Sequence, residues 1–241
     1  MSPILAYRNM KNIRRSEDRG HANHGWLESY HSFSFASYYD PDYMNFGDLR
    51  VINEDWIAPG GGFPMHPHKD MEIITYVVSG ELAHKDSMAN GSIIRRGDIQ
   101  RMSAGSGITH SEFNDSTENS VHLLQIWIDT CKKGVEPEYE QKNYTGFQED
   151  NGLRLIVSMG GKLDSVHINQ DVNIFSGKWK PGQRAQFDIF QGRRLWIQLL
   201  SGSLKMDDDF LEPGDGVAIS DEAAVSLMAK NESEFLLFDL K

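Results

Sequence analysis

Residues Phe63–Gly80 read FPMHPHKDMEIITYVVSG. Two histidines stand one residue apart, and a run of branched and aromatic residues follows. In an extended strand, residues two apart point to the same face, so His66 and His68 project side by side. Pro67 between them has no N–H to give to a ladder, which places the pair at a strand start or on an edge. The run Glu72–Val78 then reads as a buried strand closed by a Ser79-Gly80 turn.

The same short-stranded pattern extends along the chain. Arg50–Ile57, Val121–Asp129, Leu153–Ser158, Leu195–Leu200 and Glu234–Leu240 are apolar-rich runs of strand length. Asn90-Gly91, Gly97-Asp98, Ser201-Gly202 and Pro213-Gly214-Asp215 punctuate them. Asp221–Ala229 is helical by propensity, but an internal repeat argues for strand. YVVSGELAHKDSMANGSIIRRGDIQRM in the first half parallels IQLLSGSLKMDDDFLEPGDGVAIS in the second. Both read strand, Ser-Gly turn, strand, turn, Gly-Asp turn, strand. Two copies of such a unit predict two stacked β-sandwiches or barrels. The polar stretch 132–152 is the expected connection.

About forty residues past the first histidine pair comes SAGSGITHSEFN, Ser103–Asn114. Gly105 and Gly107 permit a tight turn, and His110 and Glu112 then share a face. Two strands, each presenting two ligands, predict a site of three imidazoles and one carboxylate: His66, His68, His110 and Glu112. Glu72, four residues past His68, is a competing carboxylate, as a ligand or as support for the imidazoles. Imidazole suits iron, copper, nickel and zinc, and the carboxylate shifts preference toward iron(II) or manganese. Four protein ligands on a six-coordinate ion leave two positions open, the mark of a catalytic site. His21, His24, His31, His84 and His122 read as surface or packed histidines.

Composition excludes several classes. The 241 residues carry a formal charge of −11, 39% hydrophobic and 24% charged residues. Nucleic acid binding needs a basic footprint that this balance lacks. Lys11, Arg14 and Arg15, interrupted by Glu17 and Asp18, read as a solvated surface turn. The single cysteine, Cys131, forbids an internal disulfide and fits a reducing cytoplasm; it reads as a small residue at a strand end. The first twenty residues lack the apolar core of a signal peptide, and no run approaches a membrane span.

The motifs GGGFPMHPH and GDIQRMSAGSGITHSE, with RGHANHGWLESYHSFSFASYYDP and FGDLRVINED before them, resemble the two cupin motifs in the form used by the pirin family. The resemblance is strongest over residues 19–129, and within the family it is similar to bacterial quercetin 2,3-dioxygenases. It implies an all-β bicupin, two antiparallel jelly-roll β-barrels packed face to face. The expected division is a metal-binding cupin domain over 1–131, a connection over 132–152 and a C-terminal cupin domain over 153–241 without metal ligands. It implies one divalent transition metal, usually iron, with cobalt, copper, nickel, manganese or zinc as alternatives, held by His66, His68, His110 and Glu112. Ser103 replaces the proline of the general cupin motif, as in pirins. Aligning Ser201-Gly202 with Ser79-Gly80 puts Asp188 and Phe190 where His66 and His68 stand.

The activity implied is cleavage of a flavonol by O2, releasing carbon monoxide and a depside, with Glu112 accepting the flavonol proton. Phe33, Phe35, Phe46 and Phe63 are candidates to sandwich a flat substrate. The alternative implied is a redox-sensing regulator that binds a protein partner.

Overall fold

The computed structural model describes residues 10–145 and 152–241. Strands dominate, and Leu49–Ile57, Met71–Ser79, Val121–Asp129, Leu153–Ser158, Arg194–Ser201 and Ser233–Leu240 each begin and end within one residue of an expected run. The stretch with helical propensity is the strand Ala224–Ala229. Among the described residues the helical turns are the short 3-10 segments Ser16–Asp18 and Lys162–Asp164. Contacts group the chain into two units: Arg19–Gln148 with Leu155–Ile174, and Met1–Asp18, Glu149–Arg154 and Phe175–Lys241.

The first unit is a jelly roll of two antiparallel sheets. One runs Glu138–Asn143, Asp98–Ser103, Met71–Ser79, Val121–Asp129, Leu49–Ile57, Leu27–His31, Gly20–Asn23; the other runs Gly62–His68, Ile108–Phe113, Glu81–Asp86, Gly91–Arg95. The two sheets close on Leu27, Ile57, Val77, Leu82, Ile94, Val121 and Leu123.

The second unit repeats the pattern. Met10–Arg14, Gly216–Ser220, Arg194–Ser201, Ser233–Leu240 and Val172–Trp179 follow one another as Glu138–Asn143, Asp98–Ser103, Met71–Ser79, Val121–Asp129 and Leu49–Ile57 do in the first. Arg184–Asp188, Ala224–Ala229, Leu204–Met206 and Asp209–Leu211 match the four-stranded sheet. Gly80 and Gly202 turn with φ of 81° and 85°, a left-handed conformation open to glycine at little cost. The pattern is therefore the doubled β unit that the repeat predicts, in the bicupin form that the resemblance implies.

Three local readings change. Met10–Arg14 is a strand paired with Gly216–Ser220, not a solvated turn; Arg14 is buried, and Arg15 meets Asp215 at 2.7 Å. The expected connection contains the strand Glu138–Asn143, paired on Asp98–Ser103, while its residues 146–151 lie outside the described residues. Cys131 sits exposed, two residues past the end of its strand. The first two pairings are long-range, and local composition does not encode them.

One buried ion cluster stiffens the first unit. Glu54 accepts from Arg19 Nη1 at 2.8 Å and contacts His122 Nε2 at 2.9 Å, and the His122 ring stacks on Trp56. Burial pushes the Glu54 carboxyl up, but His122 and Arg19 outweigh it and hold it below the ordinary range. Removing one partner of a buried pair strands the other's charge. Arg19→Ala is therefore expected to lower the unfolding free energy by about 3 kcal/mol, measured by urea denaturation at neutral pH. Because the folded value is depressed, this stabilisation is complete above the unfolded carboxyl value and fades as pH falls through the folded one. The gap between wild type and variant should close in acid.

Candidate functional site

Gly62–His68 is the edge strand of the four-stranded sheet, where Pro67 costs no ladder bond. It pairs antiparallel with Ile108–Phe113, with His66 opposite His110 and His68 opposite Ile108. The register slips between His110 and Glu112, so that Glu112 faces Phe63. This bulge absorbs Pro64 and Met65 and re-aims the histidine pair. The turn before Ile108 is fixed by Gly105, at φ 47°, where an added Cβ would lie 2.2 Å from the Val135 carbonyl. The Asp70 amide donates to the Gly105 carbonyl at 2.9 Å, tying the two histidine-bearing segments together.

The three rings converge. Centroids of His66, His68 and His110 lie 4.4–4.9 Å apart, and one nitrogen from each falls within 4.8 Å of the others. His66 Nδ1 lies 2.8 Å from the Pro64 carbonyl. A carbonyl only accepts, so Nδ1 carries the proton and Nε2 keeps its lone pair. His110 Nδ1 lies 3.1 Å from His84 Nε2, while His110 Nε2 is buried and has no partner among the described residues. Burial, with neighbouring imidazoles, drives His110 well below the usual range; burial and then His66 push His68 to about 4. Three imidazoles crowded together around a buried ring nitrogen are the donor set that a divalent transition metal satisfies.

Glu112 is 2% exposed and faces the larger sheet. Gln125 Nε2 donates to its two oxygens at 2.9 and 3.1 Å, and Thr75 Oγ1 donates to the Gln125 Oε1 at 3.1 Å. Burial lifts the Glu112 carboxyl to about 7, against the pull of these hydrogen bonds. His31, Asn53, Gln125 and Thr75 stand opposite one another across four strands as a polar belt. Apolar layers flank it: Val77 and Leu123 on one side, Ile73 and Trp127 on the other.

Glu72 lies elsewhere. Its strand turns odd-numbered Ile73, Thr75 and Val77 toward the site, so Glu72 points to the opposite face. There it accepts from Ser103 Oγ at 2.6 Å and from the Asn169 amide at 3.4 Å. Alternation counted from His68 fails because the chain turns at Asp70, φ 49°, and enters the other sheet.

A cavity of about 610 Å³ opens at the histidines, lined by His66, His68 and Glu112. Of the expected aromatics, Phe35 and Phe63 line it; Phe33 is 1% exposed in the core and Phe46 is outside the lining. Trp26 and Trp127, unremarked in the sequence, complete the walls. Trp127 packs edge-on against His68 at 4.9 Å and against Phe35 at 5.4 Å. His24 and His31, read as surface or packed histidines, also line the cavity, and His84 touches a candidate ligand. Gln125 and Asp55, which also line the cavity, carry no local signal, since the side chain each one meets lies on another strand.

The second unit differs at every corresponding position. His84 and Met206 each lie four residues past their turn glycine; His84 pairs with Glu112, and Met206 with Leu227. Leu227 thus corresponds to Glu112 and Val225 to His110. Val225 pairs with Phe187, and Ile189 binds the Ala223 carbonyl, so Phe187 and Ile189 stand where His66 and His68 do. The gap-free alignment on Asp188 and Phe190 is off by one residue, because the second unit has one residue more between this strand and its Ser-Gly turn: Phe187 lies 15 positions before Gly202, and His66 lies 14 before Gly80. Ile189, Val225 and Leu227 are core, with Phe187 packed against them.

The family model for pirin matches residues 12–128, and that described as quercetinase C-terminal cupin domain matches residues 155–240. A quercetin 2,3-dioxygenase from Escherichia coli strain K12 is 45% identical over 228 residues, covering 95% of this chain and 97% of the relative. A pirin-like protein of Caulobacter vibrioides is 39% identical over 91% of this chain and 95% of its own length. The crystal structure of the E. coli bacterial pirin YhhW in complex with nickel(II) superposes with a TM-score of 0.91 at 44% identity, covering 96% of this chain and 99% of that one.

Proposed function

The chain belongs to the pirin family, and from that premise we propose that it is a metal-dependent dioxygenase acting on flavonols such as quercetin. His66, His68, His110 and Glu112 are its ligand set and Glu112 its proton acceptor. The reading rests above all on His110 Nε2, a buried nitrogen without a partner among the described residues, meeting two further imidazoles beside an aromatic-walled cavity.

A divalent transition metal held there supplies a Lewis acid that favours the deprotonated form of a neighbouring hydroxyl. The rest falls to the chain's own groups. Phe35, Phe63 and Trp127 offer flat apolar walls that orient a planar ring system and exclude water. Glu112 takes the flavonol 3-hydroxyl proton, and burial suits it to hold that proton near neutral pH. Gln125, fixed by Thr75, keeps the carboxylate aimed when it is not engaged elsewhere. In the overall reaction both atoms of O2 enter the product, and one ring carbon leaves as carbon monoxide.

The test uses protein loaded in turn with iron(II), nickel(II) or manganese(II). Quercetin-dependent oxygen uptake with about one carbon monoxide per O2 is expected for at least one metal. No uptake with any fully loaded form would sink the dioxygenase reading.

A further inference from the structure

Asp55 is 3% exposed, yet it lines the cavity. It projects from the same strand face as Asn53, directly opposite Ser29 on one side and Leu123 on the other. The Ser29 hydroxyl donates to its Oδ1. Among the described residues no further group donates to the Asp55 carboxylate, which leaves acceptor capacity on a side chain that lines the cavity. Its surroundings are apolar: Leu27, Ile57 and Leu123 form the adjoining layer of core. A carboxyl set in such a wall is costly to bury, and one serine bond satisfies only part of it.

The belt that serves Glu112 does not use Asp55. Two residues along the strand from Asn53 and one strand over from Gln125, it lies roughly 8 Å from Gln125 by strand geometry. It lines the same cavity as His66 and His68 without joining their cluster, so a flat guest held at the histidines can present an edge to it. Burial first, and then the charge of Glu112, lift its carboxyl to about 7. It can therefore accept a hydrogen bond when ionised and give one when protonated.

We propose that Asp55 and Ser29 form a hydroxyl-recognising subsite that takes a phenolic hydroxyl on the pendant ring of a flavonol held at the histidines. This rests on the flavonol reading and narrows it to polyhydroxylated substrates. Hydrogen bonds to a charged acceptor are the stronger kind, and losing one leaves a buried group unpaired.

The experiment compares quercetin with galangin, the flavonol that lacks both hydroxyls on the pendant ring. Binding to metal-loaded protein is followed without oxygen by quenching of Trp26 and Trp127, which line the cavity. Wild type is expected to bind quercetin about tenfold more tightly. Asp55→Leu should abolish that preference and leave galangin affinity within about twofold. Should Asp55→Leu not fold, judged by circular dichroism, Asp55→Asn decides: it keeps the shape without the charge, and the preference must drop to about threefold or less. Both flavonols binding without preference, or a preference that survives in the variants, overturns the subsite while the flavonol reading stands. Binding of neither flavonol by wild type overturns both.

Discussion

His66→Ala is expected to strip the protein of its metal and of flavonol-dependent oxygen uptake together. His66 is only partly buried and sits on an edge strand, so its removal leaves the core intact and isolates the loss of a ligand. Its Nδ1 is held by the Pro64 carbonyl, which leaves Nε2 to face the cluster, and Glu72, the competing carboxylate, cannot replace it because it faces away toward Ser103 and Asn169. Outer partners of a metal site typically account for about 10–100-fold in affinity, so a direct ligand should account for at least about 100-fold. Elemental analysis after dialysis should find little metal in the variant, and an oxygen electrode should show no quercetin-dependent uptake. Full metal content with full turnover would remove the histidine cluster from the chemistry.

Glu112→Gln separates ion binding from proton transfer. Gln is nearly isosteric and keeps one oxygen, so ion affinity should fall by about tenfold, and saturating metal should restore occupancy. Turnover should remain about 10²-fold or more below wild type even then, because an amide cannot take up the hydroxyl proton. The local packing sharpens the test. Gln125 Nε2 now donates to both carboxylate oxygens, and a Gln at position 112 would set amide donor against amide donor unless one of them flips. Thr75, which donates to Gln125 Oε1, opposes that flip. Wild-type turnover at saturating metal would remove Glu112 from the proton transfer.

Much of the fold and the histidine centre was legible in the chain itself, for a local reason. Side chains alternate along a strand, so His66-Pro67-His68 and His110-Ser111-Glu112 each declare a shared face, and the Ser-Gly and Gly-Asp turns mark where strands end. These features depend on residues a few positions apart. The rest depends on residues brought together from far along the chain. Only the assembled sheets turn Glu72 away from the histidines, set His84 against His110 and lay Gln125 under Glu112. Only they bring Met10–Arg14 to Gly216–Ser220 and Ser29 to Asp55. Strand pairing register fixes each of these, and a pairing register is a relation between two segments that neither segment states alone.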